Sequence, residues 1–294
     1  MNRKKGLTLQ KKKLLTGWFF VIPATAFIFL FSFYPMLQAF ILSLHRGVGQ
    51  NLSWNGFANY TRILKDRVFF QTMRNTFVYL IIQVPIMLLL ALILASVLNN
   101  RSLRFRGLFR TMIFLPCATS LVSYSMIFRS MFANDGFVNT MLRGVGMAPV
   151  GWFQSGTAAR AVIIIALVWR WTGYNMVFYL AGMQSIDYAL YESAKIDGAS
   201  VFASFRHITV PLLRPTILMT AIMSISGTLQ LFDESVNLTN GGPGRETMTM
   251  SHYIYNTSFV QSPNFSYAAA VSVVILVMIA VLSFIQMKVG DKRD

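Results

Sequence analysis

Six long apolar stretches, separated by polar or basic segments, dominate the chain. The first, Leu14 to Leu44, holds no charged residue over 31 positions, whereas a helix needs only about 20 apolar residues to cross a bilayer. Bulky side chains continue through it and no small-residue cleavage site ends it, which favours a retained helix over a signal peptide. The predicted spans are about 14–44, 75–98, 111–128, 161–186, 212–232 and 267–287. We therefore predict an all-α integral membrane protein with six transmembrane helices in one domain (14–294), preceded by a basic segment (1–13).

The composition agrees with a membrane protein. Of the 294 residues, 55% are hydrophobic and only 12% are charged, against roughly 25% charged residues in soluble domains. Cys117 is the only cysteine, which excludes an internal disulfide framework. The net charge of +16 raises the question of nucleic-acid binding, but such a function needs the basic residues gathered on one face of a folded domain.

The basic residues instead follow the predicted topology. If the N-terminus lies in the cytoplasm, 16 Lys and Arg residues fall in inner segments and nine in outer segments, with Arg170 inside a span. This bias predicts that both termini are cytoplasmic. The net positive charge is then explained by the topology and by attraction to anionic membrane lipid. We therefore predict no nucleic-acid partner.

Several motifs are absent from the sequence. There is no GxxxxGK[ST] phosphate loop, so any use of ATP must come from a partner. There is no HExxH or CxxC, and the three histidines lie far apart, so we predict neither a catalytic nor a metal site. All ten Asp and Glu residues lie in loops or at span ends. Ion-coupled carriers usually place such groups inside the membrane, which disfavours secondary transport.

The cytoplasmic segment between spans four and five carries the most informative pattern. Residues 189–196 favour a helix that mixes apolar and charged positions, and Gly198 permits a turn that a side chain would block. A second amphipathic piece covers residues 202–210, and Pro211 marks the start of span five. Two short helices joined by a glycine corner suit docking into a partner's groove. The residues by themselves fit equally well a helix lying on the lipid surface.

A family resemblance separates these alternatives. Glu192-x-Ala194, Asp197-Gly198-Ala199 and, nine residues after the glycine, Ile208-x-Val210-Pro211 resemble the EAA motif of permease subunits of ATP-binding-cassette importers. End to end, the chain resembles the six-helix sugar permeases of the maltose and glycerol-phosphate importer type, larger-subunit branch. Supporting matches lie at residues 18–23, 114–116 and 237–244. The motif departs from the family at Ser193 and Val210, usually Ala and Leu, and both changes are small enough to keep the docking helix.

The resemblance implies a set of partners and a docking site. The partners are a second homologous permease that completes a heterodimer, two cytoplasmic ATPase subunits, and an extracytoplasmic sugar-binding protein. ATP and Mg²⁺ belong to the ATPase, and this chain holds no cofactor. The implied location is the bacterial inner membrane. The residues implied to couple to the ATPase are Glu192, Ala194, Asp197, Gly198, Ile208 and Pro211.

A candidate substrate site lies in spans four and five. Arg170 interrupts span four, and a cation there costs at least about 2.5–3.5 kcal/mol unless a polar cavity or ligand surrounds it. Trp171 and Tyr174 offer flat faces on which sugar rings stack. The alternative places Arg170 near the outer boundary of a tilted helix, where its side chain reaches water.

The resemblance places Arg170, Trp171 and Tyr174 at the sugar site and adds positions on span five. These are Ser224, Gly227 and Thr228, which share one helix face. Small residues on a membrane helix also serve helix packing, and the sequence leaves both interpretations open. Gln230 and Asp233 are nearby polar alternatives.

The sequence thus predicts a permease subunit that works by alternating access and forms half of a pore for a sugar or sugar derivative. Two other functions stay open from the residues themselves. One is a membrane enzyme acting on a lipid-linked sugar, with Arg170 and the aromatics binding its head group. The other is a secondary sugar carrier.

Overall fold

A computed structural model of the chain describes residues 8–47, 51–100, 102–260 and 262–290. Seven residues of the predicted basic N-terminal segment lie outside these ranges. The same holds for other basic residues that support the predicted orientation, namely Arg101, Lys292 and Arg293. Among the described residues, five helices are long and apolar enough to cross a membrane, and there are six if a bent helix pair is counted as one span. The predicted all-helical membrane fold is confirmed.

The elements follow the predicted spans in order. The helices are α1 (Leu9–Ile28), α2 (Tyr34–Ser43), α3 (Ala58–Ile63), α4 (Arg67–Asn99), α5 (Arg106–Ala118), α6 (Leu121–Met131), α7 (Phe137–Gly144), α8 (Gly156–Gln184), α9 (Tyr188–Ile196), α10 (Val201–Ser204), α11 (Val210–Leu229), α12 (Asp233–Thr239), α13 (Met250–Tyr255) and α14 (Phe265–Gly290). π-helical turns cover Phe29–Phe33, Phe205–Thr209 and Asn256–Val260. Two short strands, β1 (His45–Arg46) and β2 (Ser53–Trp54), pair antiparallel with His45 opposite Trp54.

One compact unit contains the described residues up to Leu64 and Thr257–Val273. Its main element is the continuous helix Leu9–Ser43, which begins before the predicted start at residue 14 and has no buried residue in its most apolar window. The hairpin and α3 close its end, where the Asn59 amide donates to the carbonyls of Ser43 and His45 at 2.8 and 2.7 Å. The exposed apolar surface of this helix suits lipid or a neighbouring subunit.

The other unit, Lys65–Asn256 with Val274–Asp294, holds α4 to α13. Asp66 caps α4 by accepting hydrogen bonds from the backbone of Val68 and Phe69, which explains why this helix begins at Arg67. Helices α4 and α8 pack through two apolar clusters. One cluster contains Tyr79, Tyr124, Phe128, Phe132, Val162, Ile163, Ala166, Leu167, Leu231 and Leu238. The other contains Ala91, Ala95, Leu98, Met176, Tyr179, Leu180, Met183 and Leu213.

The third span is broken, unlike the continuous helix predicted over residues 111–128. Helices α5 and α6 meet at an angle of 98°. Thr119 and Ser120 adopt extended backbone conformations between them, and the Thr119 hydroxyl donates to the carbonyl of Pro116 at 2.7 Å. Hydropathy alone does not reveal such a break, because the residues on both sides of it are apolar.

Candidate functional site

A cavity of about 580 Å³ lies within the larger unit, a volume typical of small-molecule sites. All six predicted substrate residues line it. The complete lining is Gln83, Met87, Leu121, Leu167, Arg170, Trp171, Tyr174, Asn175, Met223, Ser224, Gly227, Thr228, Gln230, Leu231, Phe232, Asp233 and Glu234. Along α4 and α8, the lining residues occur between the positions that build the two apolar clusters. The clusters therefore fix α4 against α8 on either side of the cavity, and the polar side chains between them line a shared space.

Arg170 lies in the middle of α8, not near its end. It is the fifteenth of the helix's 29 residues and is only 6% exposed. Its Nη2 donates to the carbonyl of Cys117 at 3.4 Å, and its guanidinium carbon lies 4.7 Å from the centroid of the Tyr124 ring. Its position does not fit the alternative in which the side chain reaches the outer boundary.

The guanidinium of Arg170 is incompletely paired. Its Nε and Nη1 are buried without a hydrogen-bond partner. An unmade hydrogen bond at a buried donor costs about 1–3 kcal/mol and more for a charged group. Arg170 is therefore a buried cation whose hydrogen bonds are only partly made.

Two aromatic rings stand beside Arg170. Trp171 and Tyr174 are half-buried and meet edge to face, with ring centroids 5.8 Å apart. The guanidinium carbon of Arg170 lies 5.6 Å from the Trp171 ring. The cavity wall thus combines flat aromatic faces with polar side chains, which is the combination that a sugar ring needs for stacking and hydrogen bonding.

Two pairs of polar side chains join α11 to its neighbours at the cavity wall. The hydroxyl of Thr228 donates to Gln83 Oε1 on α4 at 3.1 Å, and that of Ser224 donates to Asn175 Oδ1 on α8 at 3.5 Å. Gln83 and Asn175 were not among the predicted site residues, although an amide within an apolar stretch is a signal that could have identified both. Gly227 also lines the cavity, and a Cβ added there would meet nothing within 4 Å. Close helix packing therefore does not account for this glycine.

Two carboxyl groups complete the wall. Asp233 and Glu234 both line the cavity, and Glu234 is only 4% exposed. From the sequence, every acidic residue was predicted to lie in a loop or at a span end, and Glu234 was not among the predicted site residues. Burial raises the pKa of the Glu234 carboxyl above the ordinary value of a glutamate. Hydrogen bonding by the Tyr124 hydroxyl lowers this pKa in part, the charge of Asp233 raises it, and the charge of Arg170 lowers it.

Gly173 sets the distance between α8 and α5. A Cβ added to Gly173 would collide with the backbone carbonyl oxygen of Ile113, so only glycine allows this approach. The approach places α5, with its Cys117 carbonyl, beside Arg170. Gly173 is therefore a positioning residue for the cavity, although it does not line it.

We expect Gly173→Ala to destabilise the protein by about 1–3 kcal/mol, because the new methyl group forces two backbones apart. Gly227→Ala is the matched control, since its methyl group enters open space, and it should leave stability unchanged. Thermal unfolding of the purified protein in detergent would measure both. Equal melting temperatures for the two variants would contradict the tight approach at Gly173.

Five of the six predicted coupling residues lie together in the segment between α8 and α11, and the sixth, Pro211, is the second residue of α11. Helix α9 begins after Asp187, whose carboxylate accepts from the backbone N–H of Ala189 at 3.0 Å. Gly198 follows with φ of +79° and makes the turn, as predicted. The hydroxyls of Tyr191 and Thr209 lie 2.8 Å apart and join the two arms of the turn. Glu192 and Asp197 are exposed, whereas Ala194 and Ile208 are half-buried.

The second arm differs from the predicted short helix over residues 202–210. A single helix runs from Val201 to Leu229, and Pro211 lies within it instead of marking its start. The π-helical turn Phe205–Thr209 ends two residues before Pro211. Because proline lacks the N–H of a regular helical hydrogen bond, a locally wider turn accommodates it without ending the helix. The second arm is therefore continuous with a helix that lines the cavity.

The surface of this segment is strongly apolar at the turn. Ile196, Val201 and Phe202 are 86%, 90% and 69% exposed. Large apolar side chains with this exposure mark a contact surface.

The segment between α12 and α13 is held by a buried polar network. The Asn75 amide on α4 donates to the carbonyls of Arg245 and Met248, at 3.0 Å each. The hydroxyl of Ser235 lies 2.9 Å from Nδ1 of His252, a ring whose pKa is lowered by burial. What the sequence showed only as a glycine-rich turn is thus a fixed structure anchored to α4.

The chain is similar to known transport proteins in sequence and in fold. Residues 87–293 match the family described as binding-protein-dependent transport system inner membrane component. The chain is 52% identical to the lactose transport system permease protein LacF of Rhizobium radiobacter, with 95% of each chain covered. It is 34% identical to the arabinooligosaccharides transport system permease protein AraP of Halalkalibacterium halodurans, covering 87% of this chain and 81% of the other. In fold it resembles a chain of the bacterial alginate transporter solved with its pentasaccharide-bound periplasmic protein, with a TM-score of 0.82, 23% identity, and 97% and 96% coverage.

Proposed function

Because the chain belongs to the family of binding-protein-dependent transport system inner membrane components, we propose that its cavity holds the sugar during transport and that the segment around Gly198 couples the cavity to ATP hydrolysis. The observation that carries the proposal is the helix Val201–Leu229. One of its ends belongs to the coupling segment, and its other end supplies Ser224, Gly227 and Thr228 to the cavity. A displacement of the turn is therefore transmitted to the cavity wall by one continuous helix.

The predicted family and function class are confirmed. The chain is a multi-pass inner-membrane permease subunit of an ATP-driven sugar importer, and it is a transporter subunit, not an enzyme. ATP hydrolysis belongs to separate subunits, so neither the membrane enzyme nor the secondary carrier is retained. The transporter works with a binding protein and further transporter components.

The finer assembly is part of the proposal. A second, homologous permease completes the pore as a heterodimer, and two cytoplasmic ATPase subunits bind ATP and Mg²⁺. The exposed apolar turn at Ile196, Val201 and Phe202 supports the docking of a protein against this segment. Both termini lie in the cytoplasm, as the excess of basic residues in the inner segments supports.

A neutral disaccharide such as lactose is the first substrate to test, because the relative named for lactose shares 52% identity over nearly the whole chain. Arg170, Trp171 and Tyr174 supply donors and stacking faces. Further polar groups come from the side chains of Gln83, Asn175, Ser224 and Thr228. Alternating access would expose this cavity first to the binding protein and then to the cytoplasm.

The test is to purify the chain from detergent-solubilised native membranes, identify co-purifying proteins by mass spectrometry, and assay ATPase activity with lactose and the purified binding protein. We expect a homologous permease, an ATPase, and ATP hydrolysis stimulated several-fold by lactose-loaded binding protein. Recovery of the chain without an ATPase would contradict the proposed assembly. Stimulation by another sugar, but not by lactose, would contradict only the substrate.

A further inference from the structure

The charges on the cavity wall form an unusual set. Among the residues that line it, one is cationic, Arg170, and two are acidic, Asp233 and Glu234. Within the part of the chain that the structure describes, the one ion pair joins Arg160 and Glu246, which lie outside the cavity lining. Arg170 lines the cavity, and among the described residues no carboxylate forms an ion pair with its guanidinium.

We propose that Glu234 is a substrate-contacting residue and that Glu234 and Asp233 together make the cavity select neutral sugars over acidic ones. This inference rests on the proposed sugar site in the cavity. Arg170 taken alone would suggest an acidic sugar such as a uronate. The two carboxyl groups on the same wall reverse that expectation.

The reason is electrostatic. One basic residue and two acidic residues line the wall, so the wall carries no net positive charge, whether Glu234 is protonated or ionised. A sugar carboxylate in the cavity would be attracted by Arg170. The acidic side chains on the same wall would repel it and so offset that attraction. The interior position strengthens this effect, because salt screens buried charges much less than exposed ones.

A neutral sugar fits the same wall through its hydroxyls. Each hydroxyl both donates and accepts, whereas a guanidinium only donates and a carboxylate only accepts. A sugar between Arg170 and Glu234 can therefore accept from the first and donate to the second. Burial raises the pKa of Glu234 and so favours its protonated form, which can also donate to a ring or hydroxyl oxygen. Either form of the carboxyl can bind a neutral ligand.

The experiment uses the assembled importer in lipid nanodiscs without its binding protein, so that the preference measured belongs to the transmembrane cavity. The probes are lactose, which is neutral, and lactobionate, which keeps the galactose unit and carries a carboxylate. We expect the wild type to bind lactose about tenfold or more tightly than lactobionate. The double variant Asp233→Asn/Glu234→Gln leaves Arg170 as the only charge on the wall, and this ratio should fall by about tenfold.

Glu234→Leu removes the hydrogen-bonding group and should weaken lactose binding about tenfold. Asp135→Asn, on an exposed loop, is the matched control and should change nothing. A wild type that binds lactobionate as tightly as lactose, or binds neither, would overturn the proposal, as would an unchanged ratio in the double variant. The ATPase assay reports on the proposed function separately: stimulation by lactose with an unchanged ratio overturns the selectivity inference alone.

Discussion

An Arg170→Met variant should lose sugar transport while its thermal stability is kept or increased. Methionine is an unbranched apolar side chain with no charge and no donors. Hydrogen bonds to charged groups contribute about 1.5–3 kcal/mol, so the loss of those from the guanidinium should lower kcat/KM by roughly 10- to 150-fold. The folded protein should lose little stability, because two of the guanidinium nitrogens are buried without hydrogen-bond partners.

Measuring both transport and thermal stability distinguishes a substrate-binding arginine from a structural one. A merely structural arginine, held by the Cys117 carbonyl and the Tyr124 ring, would leave the variant less stable and transport reduced only through lower protein levels. Arg170→Lys keeps the charge but not the forked geometry and should recover only part of the transport. Arg129→Met, at an exposed position, is the control. Transport and melting temperature should be measured in proteoliposomes and in detergent, at matched protein levels.

A Gly198→Val variant should insert normally but separate ATP hydrolysis from transport. Gly198 has φ of +79°, and nothing lies within 4 Å of an added Cβ. Valine would therefore strain the backbone conformation of the turn without a steric clash. A left-handed conformation costs an ordinary residue about 1–2 kcal/mol and a β-branched residue more. Such a cost would reduce the fraction of correctly shaped turns by roughly 5- to 30-fold.

The chain offers a closely matched control. Gly146 has φ of +78° and the same open space around an added Cβ, but it lies in the segment between α7 and α8. Gly146→Val should therefore keep sugar-stimulated ATPase activity and uptake. Gly198→Asn should retain most of the coupling, because asparagine tolerates this conformation better than most residues with a side chain. Normal ATP-driven uptake by Gly198→Val at normal membrane levels would contradict the coupling role.

The membrane architecture and the family could be predicted from the sequence because both depend on local information. An apolar run longer than about 20 residues is typical of a membrane span, and the EAA-like motif occupies one short segment. Helix boundaries were less predictable. Lys11 to Lys13 lie within the first helix, since long basic side chains can extend from a helix toward the membrane surface while the backbone stays helical.

The break in the third span and the continuity of the fifth could not be predicted from hydropathy. The break at Thr119 and Ser120 depends on backbone conformations that many residues can adopt. Pro211 suggested a boundary, but a π-helical turn accommodates it. Both features depend on how neighbouring helices pack, and apolar periodicity carries no information about that.

Some residues of the candidate site could likewise be identified from the sequence, and others could not. The unusual residues Arg170, Trp171 and Tyr174 could be identified in the sequence, because a cation among aromatics stands out within an apolar helix. Gln83 and Thr228 are 145 positions apart, yet their side chains are hydrogen-bonded on one cavity wall. The burial of Glu234 against that wall likewise arises only when several helices come together.

Local composition determines which segments enter the membrane and which family they belong to, because burial in lipid acts on each segment separately. The charge balance of the cavity depends on side chains from distant segments, and only packing brings these within reach of one another.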